Sequence, residues 1–252
     1  MKFHAKWSEV GTVIGLAMAA CIVTAGNTSS AAEADGSPEA ARLISNIHWL
    51  GHDGFRIDGT GVVIYLDPYK IKEGGPKADL ILITHDHSDH DSPEDVAKIQ
   101  QPSTIIVTGS AAAAKLSGQI QIVKPGDRID VKGVSIQAVP AYNINKFRSP
   151  GVPFHPKESA YVGYILTVNG VRIYHAGDTD VIPEMKTIAC DVAMLPVSGI
   201  YVMTAEEAVE AARLIHPKLA IPMHVGKGIG SLADAERFKT LSPVPAIVLP
   251  ME

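Results

Sequence analysis

Three histidines and an aspartate fall within six residues, His85, His87, Asp89 and His90, in the pattern H-x-H-x-D-H. Neutral imidazole nitrogens and a carboxylate are donors that divalent cations take up, and four of them so closely spaced are poorly explained as a solvated polar loop. The pattern follows directly on the apolar run Leu80-Ile81-Leu82-Ile83. It is therefore expected at the end of a buried strand, where a rigid scaffold fixes the direction of each side chain and where ligands gather in layered α/β proteins. This donor set suits Zn²⁺, and Mn²⁺ or Fe²⁺ as well.

The elements that must position these donors can be read along the chain. Strand-like runs bounded by Gly, Asp and Pro come first, at Ile44–Leu50, Phe55–Ile57, Val62–Leu66 and Leu80–Thr84. A helix is expected from Ser92 to about Gln100, with Pro93 and the acidic Glu94 and Asp95 in its first turn. A strand at Thr104–Val107, a short Ala-rich helix at Ser110–Leu116 and a strand at Ile120–Val123 follow. Strands return at Val134–Val139, Tyr161–Val168 and Val171–His175, the last two joined by Asn169-Gly170, a strong hairpin signal. The remainder reads as a strand at Val192–Leu195, a helix from Thr204 to His216, a strand at Leu219–Ile221 and a helix near Leu232–Lys239. This order implies an α/β fold, a four-layer αββα sandwich of two mixed β-sheets flanked by helices. The segment Asn143–Ser159 is long for a connection and reads as a lid or mobile loop. Its cations Lys146, Arg148 and Lys157 are either solvated or arranged to bind an anionic group on a small-molecule substrate.

At 252 residues, 46% hydrophobic and 19% charged, the chain has the length and composition of one globular domain. Its 22 basic against 27 acidic residues give a net charge of −5 with no Lys/Arg run, so a nucleic-acid partner is not expected. Lys2 and Lys6 precede an apolar stretch, Val10 to Ala25, and a small-residue segment that a signal peptidase could cut after Ala32 or Ala34. The expected organisation is a signal peptide over 1–34, a tether to 40 and one globular domain over 41–252, exported to the periplasm or secreted, with no membrane span in the mature form. Lipoprotein anchoring through Cys21 and an uncleaved anchor are the alternatives. Cys190 would be the only cysteine of the cleaved chain, so no internal disulfide is expected. Its apolar neighbours favour a small buried side chain over a ligand. No motif specifying an oligomeric state is present.

The motifs Gly51-His52-Asp53-Gly54-Phe55, Leu66-Asp67-Pro68, Thr84–His90, Tyr174-His175-Ala176-Gly177-Asp178-Thr179-Asp180 and Pro222-Met223-His224 occur in series. From His48 to the C-terminus the chain resembles the metallo-β-lactamase superfamily of metal-dependent hydrolases. Within it, the chain is most similar to the L-ascorbate-6-phosphate lactonase-like branch. The resemblance implies two divalent metal ions, one held by His85 and His87, the other by Asp89, His90 and His224, with Asp178 bridging. Many members place a further His after the strand that here reads Val139-Pro140-Ala141, where this chain has Tyr142-Asn143. Either His155 swings in from the following loop, which is preferred, or Asn143 or water completes the first site. By the same resemblance Asp67 would hold a ligating imidazole, the alternative being a strand-terminating turn residue. His52 either lines the pocket or is structural. His175 is read as supporting its turn, His216 as a helix cap or surface residue, and His48 has no role.

The reaction expected from this reading is attack by a metal-bridging hydroxide on an ester or lactone carbonyl, with Asp89 and Asp178 as the catalytic carboxylates. Phosphodiester hydrolysis, including N-acyl phospholipid-type substrates, is the alternative chemistry, and β-lactam cleavage is less favoured. The rival of another class is a non-catalytic metal-binding protein on the same scaffold.

Overall fold

The computed structural model describes Met1, residues 38–59 and residues 61–252. The segment expected to be a signal peptide, with its expected cleavage sites and Cys21, lies outside the described residues.

Helix α1 (Pro38–Ile44) precedes a first sheet of six strands that stand in sequence order, β1 (Ile47–Gly51), β2 (Gly54–Gly59), β3 (Val62–Leu66), β4 (Leu80–Ile83), β5 (Ile105–Thr108) and β6 (Gln119–Ile122). β1 to β3 form an antiparallel meander and β3 to β6 run parallel, with α2 (Pro93–Ile99) and α3 (Ser110–Ala113) in the crossovers. The second half begins with β7 (Arg128–Val131) and β8 (Val134–Pro140), followed by a small separate hairpin, β9 (Phe147–Ser149) with β10 (Val152–Pro153). Then come β11 (Val162–Val168), β12 (Val171–His175), β13 (Val192–Pro196), α4 (Ala205–Ile215), β14 (Leu219–Met223) and α5 (Leu232–Leu241). The second sheet has the order β14-β13-β12-β11-β8-β7, antiparallel from β7 to β12 and parallel from β12 to β14.

Side-chain alternation along β4 assigns the layers. Leu80 and Leu82 face the core between the sheets, which also takes Ile136, Tyr164 and Leu166 from the second sheet. Ile81 and Ile83 face the other way and pack with Val96 and Ile99 of α2. α4 starts at a capping box formed by Thr204 and Glu207 and buries Ala205, Ala208, Ala211, Ala212 and Ile215 against the second sheet. Helix, sheet, sheet and helix follow one another, the expected four-layer sandwich.

Several local expectations change. The strand expected from Ile44 starts at Ile47, because residues 38–44 are helical from Pro38, a residue favoured in a first turn. The Ala-rich helix stops at Ala113, and β7 is a strand the sequence reading did not contain. Asn143–Ser159 is no structureless lid, since it holds the β9–β10 hairpin and a 3₁₀ turn at Lys157–Ser159. The Asn169-Gly170 hairpin forms as read, with both residues at positive φ, 50° and 75°. No helix among the described residues is long and apolar enough to cross a membrane.

Candidate metal centre

The donors converge where strands of both sheets end. His85 to His90 follow β4, Asp178 follows β12, His224 follows β14, and His52 sits in the turn between β1 and β2. Two glycines allow the approach. A Cβ on Gly163 of β11 would lie 2.7 Å from the carbonyl oxygens of His175 and Ala176. One on Gly177, already at φ +62°, would press on Thr84 at 3.2 Å. Asp178 is thereby laid directly against the H-x-H-x-D-H turn. His52 and His224 both occupy left-handed backbone (φ 56° and 61°), and their turns are stitched together by His52 N donating to Val225 O and His224 N to His52 O. Side chains are rarely held so, and such conformations concentrate where function requires them.

Two separate donor groups result, with ligand atoms in each lying within 4.8 Å of one another, His85, His87 and His155, and His52, Asp89, His90 and His224; a third grouping, Asp53, His90, Asp178 and His224, overlaps the second. Asp178 stands at the seam. Its Oδ2 is 3.2 Å from His155 Nε2 and 3.3 Å from His224 Nε2, and its Oδ1 is 3.4 Å from His90 Nε2. His85 Nε2 lies 3.1 Å from His87 Nδ1, which is 3.2 Å from His155 Nε2.

The outer nitrogens are held by oxygens. His85 Nδ1 is 2.9 Å from Thr84 Oγ1, whose own proton goes to Asp67 Oδ2 at 2.6 Å. His90 Nδ1 is 2.8 Å from the same Asp67 oxygen, His155 Nδ1 is 2.8 Å from Asn143 Oδ1, and His224 Nδ1 is 2.8 Å from Ser198 Oγ. When each Nδ1 donates outward, each Nε2 presents a lone pair inward. The first group then has three nitrogen atoms facing one another with at most one proton from His87 to share, a repulsion that a cation removes. In the second group His90 Nε2, His224 Nε2 and both nitrogens of His52, and beside them Asp178 Oδ1, are buried without a hydrogen-bond partner. Buried polar atoms are normally satisfied, so these orphans fit a bound cation. The donor set is all imidazole and carboxylate, and it suits divalent metals of the zinc, manganese and iron type.

Electrostatics divide the rings: His52, His85 and His87 are pushed down, whereas at His90 and His224 nearby carboxylates outweigh burial and raise the pKa, a proton that a bound cation would displace. Burial, followed by the neighbouring His90 and His224, pushes His52 down to about 2 and keeps its ring neutral. Burial likewise holds His85 well below the usual histidine range, with His90 adding to the effect, and lowers His87. At His90 burial opposes the charged ring, but the carboxylates of Asp178 and Asp67 outweigh it and raise its pKa. Asp53, fully buried beside this group with neither carboxyl oxygen bonded, is driven well above the carboxylate range by burial.

The sequence candidates therefore separate. His85, His87, Asp89, His90, Asp178, His224 and His155 come together. His52 joins them among the donors, beyond the pocket-lining or structural places considered for it, with Nε2 3.5 Å from Asp89 Oδ2. Asp67 contacts His90 and Thr84 from outside the cluster. Asn143 is not among the donors, because its amide oxygen is taken by His155. Lys157 does not face the cluster; its ammonium pairs with Glu184 at 2.9 Å and lies over the Tyr142 ring. Lys146 is similarly held by Glu207. Arg148 alone of the three lines the opening, a cavity of about 340 Å³ shared with His87, Asp89, Phe154, His155, Asp178 and Tyr201. His175 supports its turn, accepting from Gly177 N and lying 2.9 Å from Asp53 O, and His216 caps α4 in left-handed backbone. Cys190, partly buried and remote from the cluster, has its thiol pushed up to about 12 by burial.

Asp53, Thr84, Ser198, Tyr161 and Tyr201 were not singled out from sequence. Thr84 carried a signal, a polar residue closing an apolar strand just before the motif. Tyr161, with its ring 5.1 Å from that of His85, carried none.

A model described as a β-lactamase superfamily domain matches residues 46–224. The chain belongs to that superfamily. It is 33% identical over 210 residues to a UPF0173 metal-dependent hydrolase of Methanopyrus kandleri, covering 77% of this chain and 89% of the relative. It is 34% identical to another from Thermoplasma acidophilum, over 82% and 97% of the two chains. Among solved structures, a metal-dependent hydrolase from Parabacteroides distasonis superposes with a TM-score of 0.72 at 33% identity, over 82% of this chain and 93% of that one. The superfamily member is thus a metal-dependent hydrolase of the UPF0173 kind, which sets aside the non-catalytic rival; these relatives do not carry the narrower lactonase-like assignment.

Proposed function

We propose that this hydrolase is a dinuclear enzyme that cleaves an ester or lactone carbonyl in a small anionic substrate. The observation that carries the reading is the place of Asp178, one carboxylate within 3.2–3.4 Å of nitrogens from both donor groups. His85, His87 and His155 would hold one divalent cation and His52, Asp89, His90 and His224 the other, Zn²⁺ first among candidates, with Asp178 shared. Cations bound there supply Lewis acidity, bringing the pKa of water down to about 7 and polarising the scissile bond. Asp178 balances the positive charge between the two groups. Asp89, partly open to the cavity, orients the attacking water and receives its proton. The rings of Phe154 and Tyr201, 4.5 Å apart at the opening, shield the reacting carbonyl from bulk water. Arg148 at the same opening meets the substrate's anionic group. Lys2, Lys6 and the apolar stretch after them support export as the setting for this activity.

Elemental analysis of protein purified without added metal, beside His87→Ala, tests the reading. Two equivalents per chain are expected in the wild type, fewer in the variant, and hydrolysis of an ester and lactone panel by the wild type alone. A full metal complement in His87→Ala would overturn it.

A further inference from the structure

The position where a metal-binding His was expected after β8 is Asn143, and its side chain does more than fill the gap. Its Oδ1 accepts from both the backbone N and the ring Nδ1 of His155, each at 2.8 Å. Its backbone N donates to His155 O at 2.8 Å, so the residue grips His155 at three points. Its amide nitrogen donates to Asp180 Oδ1 at 3.2 Å and to the Tyr201 carbonyl at 3.0 Å. Asp180 is itself fixed, with Oδ2 accepting from the backbone N of Ile144 at 2.6 Å and of Asn145 at 2.8 Å.

We infer that Asn143 is the positioning residue of the first metal group, an amide clamp that makes His155 from the following loop its third donor. The inference rests on the dinuclear reading above. Three features carry it. An amide has a fixed polarity, and here Asp180 and the Tyr201 carbonyl both demand the NH₂ on their side, so the oxygen must face His155. An oxygen at Nδ1 selects the tautomer with Nδ1 protonated and leaves Nε2 with its lone pair aimed at Asp178 and His87. Asn143 and His155 are also both buried, at 6% and 1% exposure, so water does not readily replace the lost partner. The same amide fixes Tyr201, held at φ +66° on the cavity wall, so the donor and the substrate-facing wall share one support.

The test is Zn²⁺ titration of full-length wild type, Asn143→Ala and His155→Ala against a competing chelator, with the melting temperature of each metal-free protein measured alongside. Asn143→Ala is expected to weaken one of two zinc equivalents by about 10–100-fold, the usual cost of losing a partner of a ligating His, and to leave the other unchanged. A general structural defect would weaken both equivalents and lower the metal-free melting temperature, which would overturn a positioning role. Wild-type affinity at both equivalents in Asn143→Ala, with one lost in His155→Ala, would sink the clamp and leave the dinuclear site standing. Two unweakened equivalents in His155→Ala would remove the donor set itself. Should Asn143→Ala fail to fold, the zinc-loaded wild type still decides. The His155 Nδ1 proton should exchange slowly with solvent, and a fast-exchanging one would rule the clamp out.

Discussion

Two buried carboxylates, Asp95 and Asp178, sit at 4% exposure and are treated by the fold in opposite ways. At Asp95 each oxygen is satisfied twice. Oδ1 accepts from Ile71 N at 3.0 Å and Lys98 Nζ at 2.8 Å, and Oδ2 from Lys70 N and Ser92 Oγ, both at 2.7 Å. The group ties the start of α2 to the loop after β3, and nothing remains for a ligand. Around Asp178, by contrast, Asp178 Oδ1, His90 Nε2, His224 Nε2 and both nitrogens of His52 have no partner. Burying polar atoms without partners costs stability, so a fold that saturates one buried acid and starves another has left room for something the chain does not supply.

The sharpest way to break this comparison is to remove its centre. Asp178→Ala should reduce hydrolysis by on the order of 10³-fold or more, beyond the loss of a single oxyanion-stabilising donor, because charge balance for both donor groups goes at once. Asp95→Ala should leave metal content and turnover intact. Metal analysis and steady-state kinetics on the two variants are the check; an active Asp178→Ala enzyme would erase the distinction.

Chelation separates the regions by stability. A ligand binding only the folded state at about 1,000 times its dissociation constant adds about 4 kcal/mol, so stripping the metal should lower the melting temperature markedly and restoring Zn²⁺ should recover it. Asp95→Ala should be destabilised with and without metal, by roughly 2–4 kcal/mol for a buried carboxylate with charged and neutral partners. Its pH signature is distinct. Burial opposes the ionised form, but bonds from Lys98, Ser92 and the backbone of Lys70 and Ile71 outweigh it and lower the folded pKa. The stabilisation is therefore fully present above the unfolded value near 4 and lost as pH falls through the lower folded value. Urea titrations should show the gap between wild type and Asp95→Asn closing below about pH 4.

How much of this was legible in sequence follows from the range of each interaction. His85 to His90 could be read because four donors lie on one turn, and the layers could be read from the order of strand-like and helical runs, with Asn169-Gly170 forcing a hairpin. Asp178 and His224 were reached through motif resemblance. His52 and Asp53 were undervalued because their partners come from the far ends of β4 and β14, a closeness created only when the sheets pack. β7 escaped because Arg128-Ile129-Asp130-Val131 is too short and polar to announce a strand, and it is held by pairing with β8. For Lys146 and Lys157 the sequence left a solvated and a substrate-binding reading open, because Glu207 and Glu184, which neutralise them, lie 61 and 27 residues away.

Asp67 lies between the two extremes and sharpens the rule. Like Asp95 it is saturated, by Thr84 N, Thr84 Oγ1 and His90 Nδ1, but one of those donors belongs to an orphaned ring. Asp67→Asn keeps the shape and can turn only its single amide oxygen to those donors. It should weaken metal binding by about 10–100-fold, less than the loss at Asp178. A chelator competition that shows unchanged affinity would place Asp67 with Asp95 as a purely structural acid.

The smallest effect belongs to the rim. Arg148 is exposed, donates to Phe154 O at 3.1 Å and stacks on the Phe154 ring at 5.7 Å, whereas Lys146 and Lys157 are committed to carboxylates. An exposed cation interacts through water, so its pull on a substrate anion is weak and screened by salt. Arg148→Glu should raise KM for anionic esters by about 3–10-fold at low ionic strength and leave kcat, metal content and KM for a neutral ester unchanged. The neutral substrate separates the two roles the geometry allows. If KM rises equally for both esters, Arg148 acts by propping Phe154 against Tyr201 and shaping the opening; a rise confined to the anion, fading as salt is added, means that the rim reads charge while the buried donors beneath it hold the metal.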